Sequence, residues 1–390
     1  MTDWSVVAKR LYTALDGEWA DAVEVDPRVA MAQARLALAN GTGLDEARRS
    51  IDEQIRHTGI AFRGLTLGWV IPRQPAGPVS AEAIGRLLSD LHVTAFRLSL
   101  RLADHESAQD HLISAIACSP DDPAPRRMLA NLRWDTGDHQ AAVPALDAAI
   151  TDDLTAAFEL LDAGVELGYD GSASSAEAFQ RAGERDPVGL IADVCRYRLD
   201  RLDRPDSWPR TTDEVNDIYF KAGEQLVAGN VPAAVSGLVA ALGWVPKWPV
   251  AWFGLGFAYR SRQPSHGEYK PASNAPITEI RSVGPIPLDD ATYDDVRRAA
   301  QAFRIAAALD PDFAEAHNDL AGCELSLDRP ALALAPAMRF RELRPHEAAS
   351  HANLGVVLAR IGEHEAARAE ATAALDIDPT DPVAREVLRQ

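Results

Sequence analysis

Lysine is almost missing from this chain. Lys9, Lys221, Lys247 and Lys270 are the only four in 390 residues, and 39 Lys and Arg against 58 Asp and Glu leave a formal net charge of −19. A nucleic-acid surface needs clustered cations to displace counterions, and the arginines here are scattered among more numerous carboxylates, so no nucleic-acid partner is expected. Cysteine is equally sparse. Cys118, Cys195 and Cys323 form no close-spaced pair, which argues against a disulfide framework or a zinc knuckle and for reduced, buried thiols in a cytoplasmic protein. No apolar run approaches the roughly 18 residues of a membrane span. The opening residues, Met1 to Lys9, lack a charged segment followed by an apolar one, so neither leader nor membrane partner is expected. No Gly is followed by Lys and no Ser stands in a Gly-x-Ser-x-Gly elbow, which removes the phosphate-cradling loop and the hydrolase nucleophile. Gly254-Leu255-Gly256 lacks the third glycine and the preceding strand of a dinucleotide loop. His346, Glu347 and His351 resemble a zinc-protease helix superficially, but a spacing of five turns the second ring about 140° away from the first. No metal, no cofactor and no catalytic residue is therefore expected.

What the chain has in abundance is alanine, and it has repetition. Alanine favours helices and lets neighbouring helices approach closely. Near the C-terminus, Ala352, Asn353, Leu354, Gly355 and Leu358 read as one helix, Gly362 as a turn, and Ala367, Ala371, Ala374 and Leu375 as a second helix ending before Pro379. Moving back by one period returns Leu320, Ala321, Ala333, Ala337, Phe340 and Pro345 at the same offsets. Trp252, Leu255, Gly256 and Tyr259 open an earlier unit completed by Ala299, Phe303, Ala306 and Pro311. Ile218, Ala222, Gly229, Ala234, Leu238, Ala241 and Pro246 form the one before it. Leu129, Ala130, Gly137, Ala142 and Leu146 fit, as do Ala108, Leu112, Ala115 and Pro120, with weaker units around Phe179 and around Ala34. About seven such units cover roughly two thirds of the chain.

This pattern resembles the tetratricopeptide repeat of bacterial-type proteins. The resemblance implies an all-α fold, a right-handed superhelix (an α-solenoid) of stacked antiparallel helix pairs. It further implies a non-catalytic scaffold or adaptor that binds a peptide or protein partner in a concave groove, and it leaves homo-oligomerisation possible. The stripe of Phe253, Phe257 and Arg260 falls on the groove side by that resemblance. It continues to Tyr219 in the preceding unit, to Glu315, Asn318 and Gly322 in the following one, and to Asn353 in the last. An apolar floor with an Arg and amides suits a peptide carrying an acidic or C-terminal carboxylate feature. Family members with a carboxylate clamp use lysines, and Asn318 stands where such a clamp prefers one. A second reading is an accessory or sensor subunit taking a small molecule among Trp244, Trp248, Trp252, Phe253, Phe257 and Tyr259, beneath the insertion described next. A third is an enzyme without a recognisable motif.

Three departures divide the chain. Arg73-Gln74-Pro75-Ala76-Gly77-Pro78 reads as a linker after residues 58–72, which fit either helix or extended chain. Asp203 to Pro209 breaks the phase of the repeat. Residues 263–292 lengthen the Trp252 unit relative to its neighbours and contain Pro264, Pro271, Pro276, Pro285 and Pro287. Closing that longer loop costs only about 2 kcal/mol, so it reads as a tolerated loop, a lid or a partner-binding arm. The expected organisation is an N-terminal module over 1–74, a middle array over 79–204 and a C-terminal array over 211–390. Pro144 and Pro336 fall within second helices and should bend them locally. The acidic pairs Asp121-Asp122 and Asp152-Asp153 should cap the helices that follow.

Overall fold

Helices account for all the regular structure in the computed structural model, which describes residues 27–66, 80–168, 173–261 and 289–389. Contacts divide the chain into two compact units, Met1–Asp152 and Asp153–Gln390. The first holds α1 (Pro27–Asn40), α2 (Leu44–Thr66), α3 (Ala81–Arg101), α4 (His105–Cys118), α5 (Pro123–Asp135) and α6 (His139–Ala149). The second holds α7 (Asp153–Gly168), α8 (Ala173–Arg185), α9 (Leu190–Leu199), α10 (Thr212–Val227), α11 (Val231–Trp244) and α12 (Pro249–Arg260). It continues with α13 (Asp290–Leu309), α14 (Ala314–Ser326), α15 (Pro330–Leu343), α16 (Ala348–Arg360), α17 (His364–Ile377) and α18 (Pro382–Arg389). Helix α2 carries the ambiguous stretch as helix through Thr66, and residues 67–72 lie outside the described ones. The linker at 73–78 and most of the insertion also lie outside them.

The helices begin where short acceptors precede them. Ser80, Asp104, Asp122, Asp138, Thr211 and Asp289 each accept a hydrogen bond from a backbone N–H in the first turn. Asp122 is one of the expected caps. Asp153 stands in the first turn of α7 and pairs with Arg185 on α8 at 3.0 Å. Gly137, Gly229 and Gly362 turn between paired helices with φ of 80°, 77° and 89°, a region that costs an L side chain. Before α15 the same turn is made by Asp328 at φ 57°, whose carboxylate holds Arg360 at 2.6 Å. Helices α6 and α15 run on through Pro144 and Pro336.

Helices pack in successive pairs, α3 with α4, α5 with α6, α7 with α8, α10 with α11, α12 with α13, α14 with α15 and α16 with α17. The glycines permit the approach. A Cβ on Gly256 would lie 2.7–2.9 Å from the Phe303 ring, so that ring occupies the space the glycine leaves. Helix α18 buries Ala384 and Val387 against the last pair and closes that end of the stack. Helix α9 stands outside the pairing, packed on α8 and α11. Its Arg198 is buried, with the guanidinium carbon 3.8 Å from the centre of the Trp244 ring, 5.2 Å from Trp208 and 5.7 Å from Phe179. A desolvated cation over aromatic faces contributes about 2 kcal/mol. Trp208, in the stretch where the sequence loses phase, also donates to the carbonyl of Arg201 at 2.7 Å.

A recurrent hydrogen bond links one repeat to the next. Trp252 donates from Nε1 to the carbonyl of Pro246 at 2.6 Å, and the His317 and His351 rings meet the carbonyls of Pro311 and Pro345 at 3.0 Å. Arg126 and Arg385 reach the carbonyls of Pro120 and Pro379 in the same way. In each case a nitrogen-bearing side chain in the first turn of a helix satisfies an acceptor that precedes the helix. Among the described residues, no helix is long and apolar enough to cross a membrane.

Candidate functional site

In the second unit the first helices of successive pairs α10, α12, α14 and α16 share a face, because side chains bridge them in turn. The Tyr219 ring on α10 stacks on Trp248, just before α12, with centroids 4.6 Å apart. Arg260 on α12 pairs with Asp319 on α14 at 2.9 Å. Asn353 on α16 donates to Oδ1 of Asn318 on α14 at 2.7 Å. The repeat register carries Phe220 to Gly254, Gly254 across the insertion to Asp319, and Asp319 to Asn353. These four positions form one column along the face. Gly223, Phe257, Gly322 and Val356 form the next, and Val227, Ser261, Ser326 and Arg360 the third.

The face changes character along its length. On α10, Phe220 is 64% exposed and Val227 76%, two turns apart on one helix stripe. Between them Gly223 leaves open space where a side chain would stand. Val250, at the start of α12, adds a further exposed apolar group. From Arg260 onward the face is polar and largely closed. Asp319 is buried and accepts from both Arg260 and, at 3.4 Å, Asn318. Arg260 is therefore matched by a carboxylate of its own chain. Burial pushes the Asp319 carboxyl up to about 6, against the pull of Arg260. A carboxyl raised on folding adds stability below about pH 4 that is lost as the pH climbs through 6. Wild type should accordingly lose unfolding free energy relative to Asp319→Asn between pH 4 and 7. Parallel denaturation curves for the two proteins over that range would contradict this.

Phe253 is wedged between Phe303 and Phe313, with centroids 5.4 and 4.8 Å away, and so belongs mainly to the helix packing. Phe257 is half-buried on the shared face. Tyr219 is half-buried under Phe220 and Trp248, and burial raises its phenol. Glu315 pairs with Arg344 at 3.0 Å. Asn318 and Asn353 are buried and bonded to each other. The structure thus brings Arg260, Asn318 and Asn353 into one polar chain through Asp319. It leaves Phe220, Val227 and Val250, which the sequence reading passes over, as the exposed apolar groups. Their signal lies in the repeat register, which sets Phe220 and Val227 on the same face as Arg260. Trp244, Trp252 and Tyr259 are buried in packing.

Burial raises all three thiols, Cys323 to about 12; Cys195 and Cys323 are buried as expected, while Cys118 is only half-buried. Among the described residues, no group of three or more His, Cys, Asp or Glu side chains is placed to hold a metal ion. His351 is held between Glu370, at 2.6 Å, and Pro345.

The sequence model of the tetratricopeptide repeat matches residues 93–157, 294–339 and 337–382. The chain carries tetratricopeptide repeats. The matched stretches hold α4 to α6 and most of α13 to α17, so repeats occur in both units. Similar solved structures include residues 41 to the end of MamA from Desulfovibrio magneticus, at 17% identity and a TM-score of 0.34, covering 43% of this chain and 78% of that one. A tetratricopeptide repeat protein of Thermus thermophilus is 17% identical with a TM-score of 0.31, covering 60% of this chain and all of that one. The C-terminal part of one from Cytophaga hutchinsonii is 11% identical with a TM-score of 0.34, covering 92% of this chain and all of that one. No curated protein matches the chain.

Proposed function

We propose that the second unit is a protein-interaction scaffold whose partner lies along the first-helix face of α10 and α12. The observation that carries this reading is the exposed Phe220 and Val227, flanking the bare backbone of Gly223 on a face otherwise used to join repeats. Large apolar groups clustered on a soluble surface mark contact sites more often than single ones do. The groove expected from the sequence is thereby shifted toward its N-terminal end. Tyr219 and Phe257 form its floor, and the Arg260–Asp319 pair its polar boundary. Since Arg260 already faces a carboxylate, an apolar segment suits this face better than an acidic one.

No observation favours the small-molecule reading, because most of the aromatic side chains proposed for it are already packed: Trp244 against Arg198 and Trp208, Trp248 against Tyr219, Trp252 against Phe158, and Phe253 between Phe303 and Phe313. The test is a comparison of wild type with Phe220→Asp/Val227→Asp in affinity capture from the native extract. Both positions are exposed, so the double variant should keep its unfolding free energy within about 0.5 kcal/mol per site. The expected result is loss of the recovered partner by a folded variant. Equal recovery would place the site elsewhere.

A further inference from the structure

Within the first unit, a chain of nitrogen-bearing side chains crosses from α2 to α3 and α4. Arg48 on α2 donates from Nε to both carboxylate oxygens of Asp52 at 3.1 and 3.0 Å, and from Nη1 to the buried hydroxyl of Ser99 on α3. Its Nη2 lies 2.8 Å from Nε2 of His111 on α4. On the other side of that ring, Nδ1 of His111 lies 3.1 Å from Nδ1 of His92 on α3. A guanidinium has only donors to offer, so Nε2 of His111 must be the acceptor. The His111 proton is then on Nδ1, where it is donated to Nδ1 of His92, and the His92 proton is on Nε2. One tautomer of each ring satisfies the whole chain, and both rings are neutral in it.

Adding one proton anywhere breaks the chain. A proton on Nδ1 of His92 sets two N–H groups against each other across 3.1 Å, and one on Nε2 of His111 sets an N–H against Arg48 across 2.8 Å. The facing charges are few. Asp52, from α2, is 3.8 Å from Nε2 of His111 but is engaged by Arg48. Asp104 and Asp110, at and within the start of α4, also act on His111, while His92 faces His111. Beneath the chain lies the apolar contact that seats the α1–α2 pair on α3, with Ala34, Ile51, Leu91 and Leu98 at its centre.

We propose that the Arg48–His111–His92 chain is an acid-sensitive latch, holding the α1–α2 pair on α3 when both rings are neutral and loosening it when either takes up a proton. The electrostatics agree with the geometry. Burial, with His111 beside it, pushes His92 down to about 4, and burial and then Arg48 lower His111 against the three carboxylates. A histidine lowered on folding gives stability that is complete above about pH 6.5 and is lost as the pH falls toward the lowered value. At pH 5, His92 alone favours the opened state by about 20-fold over pH 7.

Amide exchange on the full chain at pH 7 and pH 5, corrected for intrinsic rates, tests this against His92→Gln/His111→Gln, whose side chains do not titrate. Wild-type α2 is expected to lose protection about 20-fold more than the variant's α2, with α16 and α17 unchanged in both. Equal losses in the two proteins would overturn the latch. Should the double variant fail to fold at pH 7, the titration of the wild-type histidine ring protons decides. Both rings titrating below the ordinary histidine value of about 6.5 supports the proposal, and either titrating at or above it overturns it.

Discussion

Trp252→Ala is expected to destabilise the second unit by about 4–5 kcal/mol, the upper range for deleting a large buried aromatic. Trp252 has no exposure, lies 6.2 Å from Phe158 on α7 between ring centroids, and donates its indole N–H to the carbonyl of Pro246. Alanine would leave a cavity lined from two repeats and a carbonyl without its donor. Trp252→Phe separates these contributions. It keeps most of the ring volume and loses the N–H, and should cost about 1–3 kcal/mol for the stranded acceptor and the residual space. Urea denaturation followed by far-ultraviolet circular dichroism measures both. A loss for alanine below the range of about 3–5 kcal/mol that buried aromatics show would mean that the neighbouring helices collapse onto the site. The stack would then depend less on this residue than its burial implies.

Two glycines should respond to alanine with opposite signs. A Cβ on Gly85 would lie 2.5 Å from the backbone carbonyl oxygen of Cys118 and 3.1 Å from the Phe62 ring. Backbone at the end of α4 cannot swing aside as a side chain can, so Gly85→Ala must push α3 and α4 apart. The expected cost is about 3 kcal/mol. Gly223 is helical as well, but a Cβ there meets nothing. Gly223→Ala should gain about 0.5–1 kcal/mol by reducing the freedom of the unfolded chain. The same denaturation experiment checks the pair. Equal effects would show that helix propensity, and not close approach, sets the role of Gly85.

How far the sequence predicts this molecule depends on whether a feature is local or repeated. The helix pairs are legible because each needs only small residues at fixed offsets, and Gly256 does receive the Phe303 ring. Gly137, Gly229 and Gly362 are legible as turns because the left-handed backbone selects glycine. The packing roles of Trp252 and Tyr259 follow from the register, and both are buried.

What is not legible depends on partners distant in sequence. Arg260 reads as a cation open to an acidic peptide, yet its carboxylate is Asp319, beyond the insertion. Phe253 belongs to the same aromatic stripe as Phe257, but Phe303 and Phe313 cover it. Spacing along the chain does not reveal His92 and His111, which meet across a helix hairpin and find Arg48 on a third helix. The bonds to Pro246, Pro311 and Pro345 escape a sequence pattern because Trp and His look unrelated until their N–H groups are seen to do one job.

The scaffold reading stands or falls on whether a partner lies on the apolar face of α10. It is tested by a photo-activatable phenylalanine analogue placed at position 220, with the same group at position 338 on α15 as the comparison, in protein exposed to the native extract. Phe220 and Met338 are both exposed, so neither replacement should disturb the fold. The expected result is one partner cross-linked in high yield from position 220 and not from 338. Cross-linking of that partner from 338 and not from 220, or no position-dependent product at all, would contradict it.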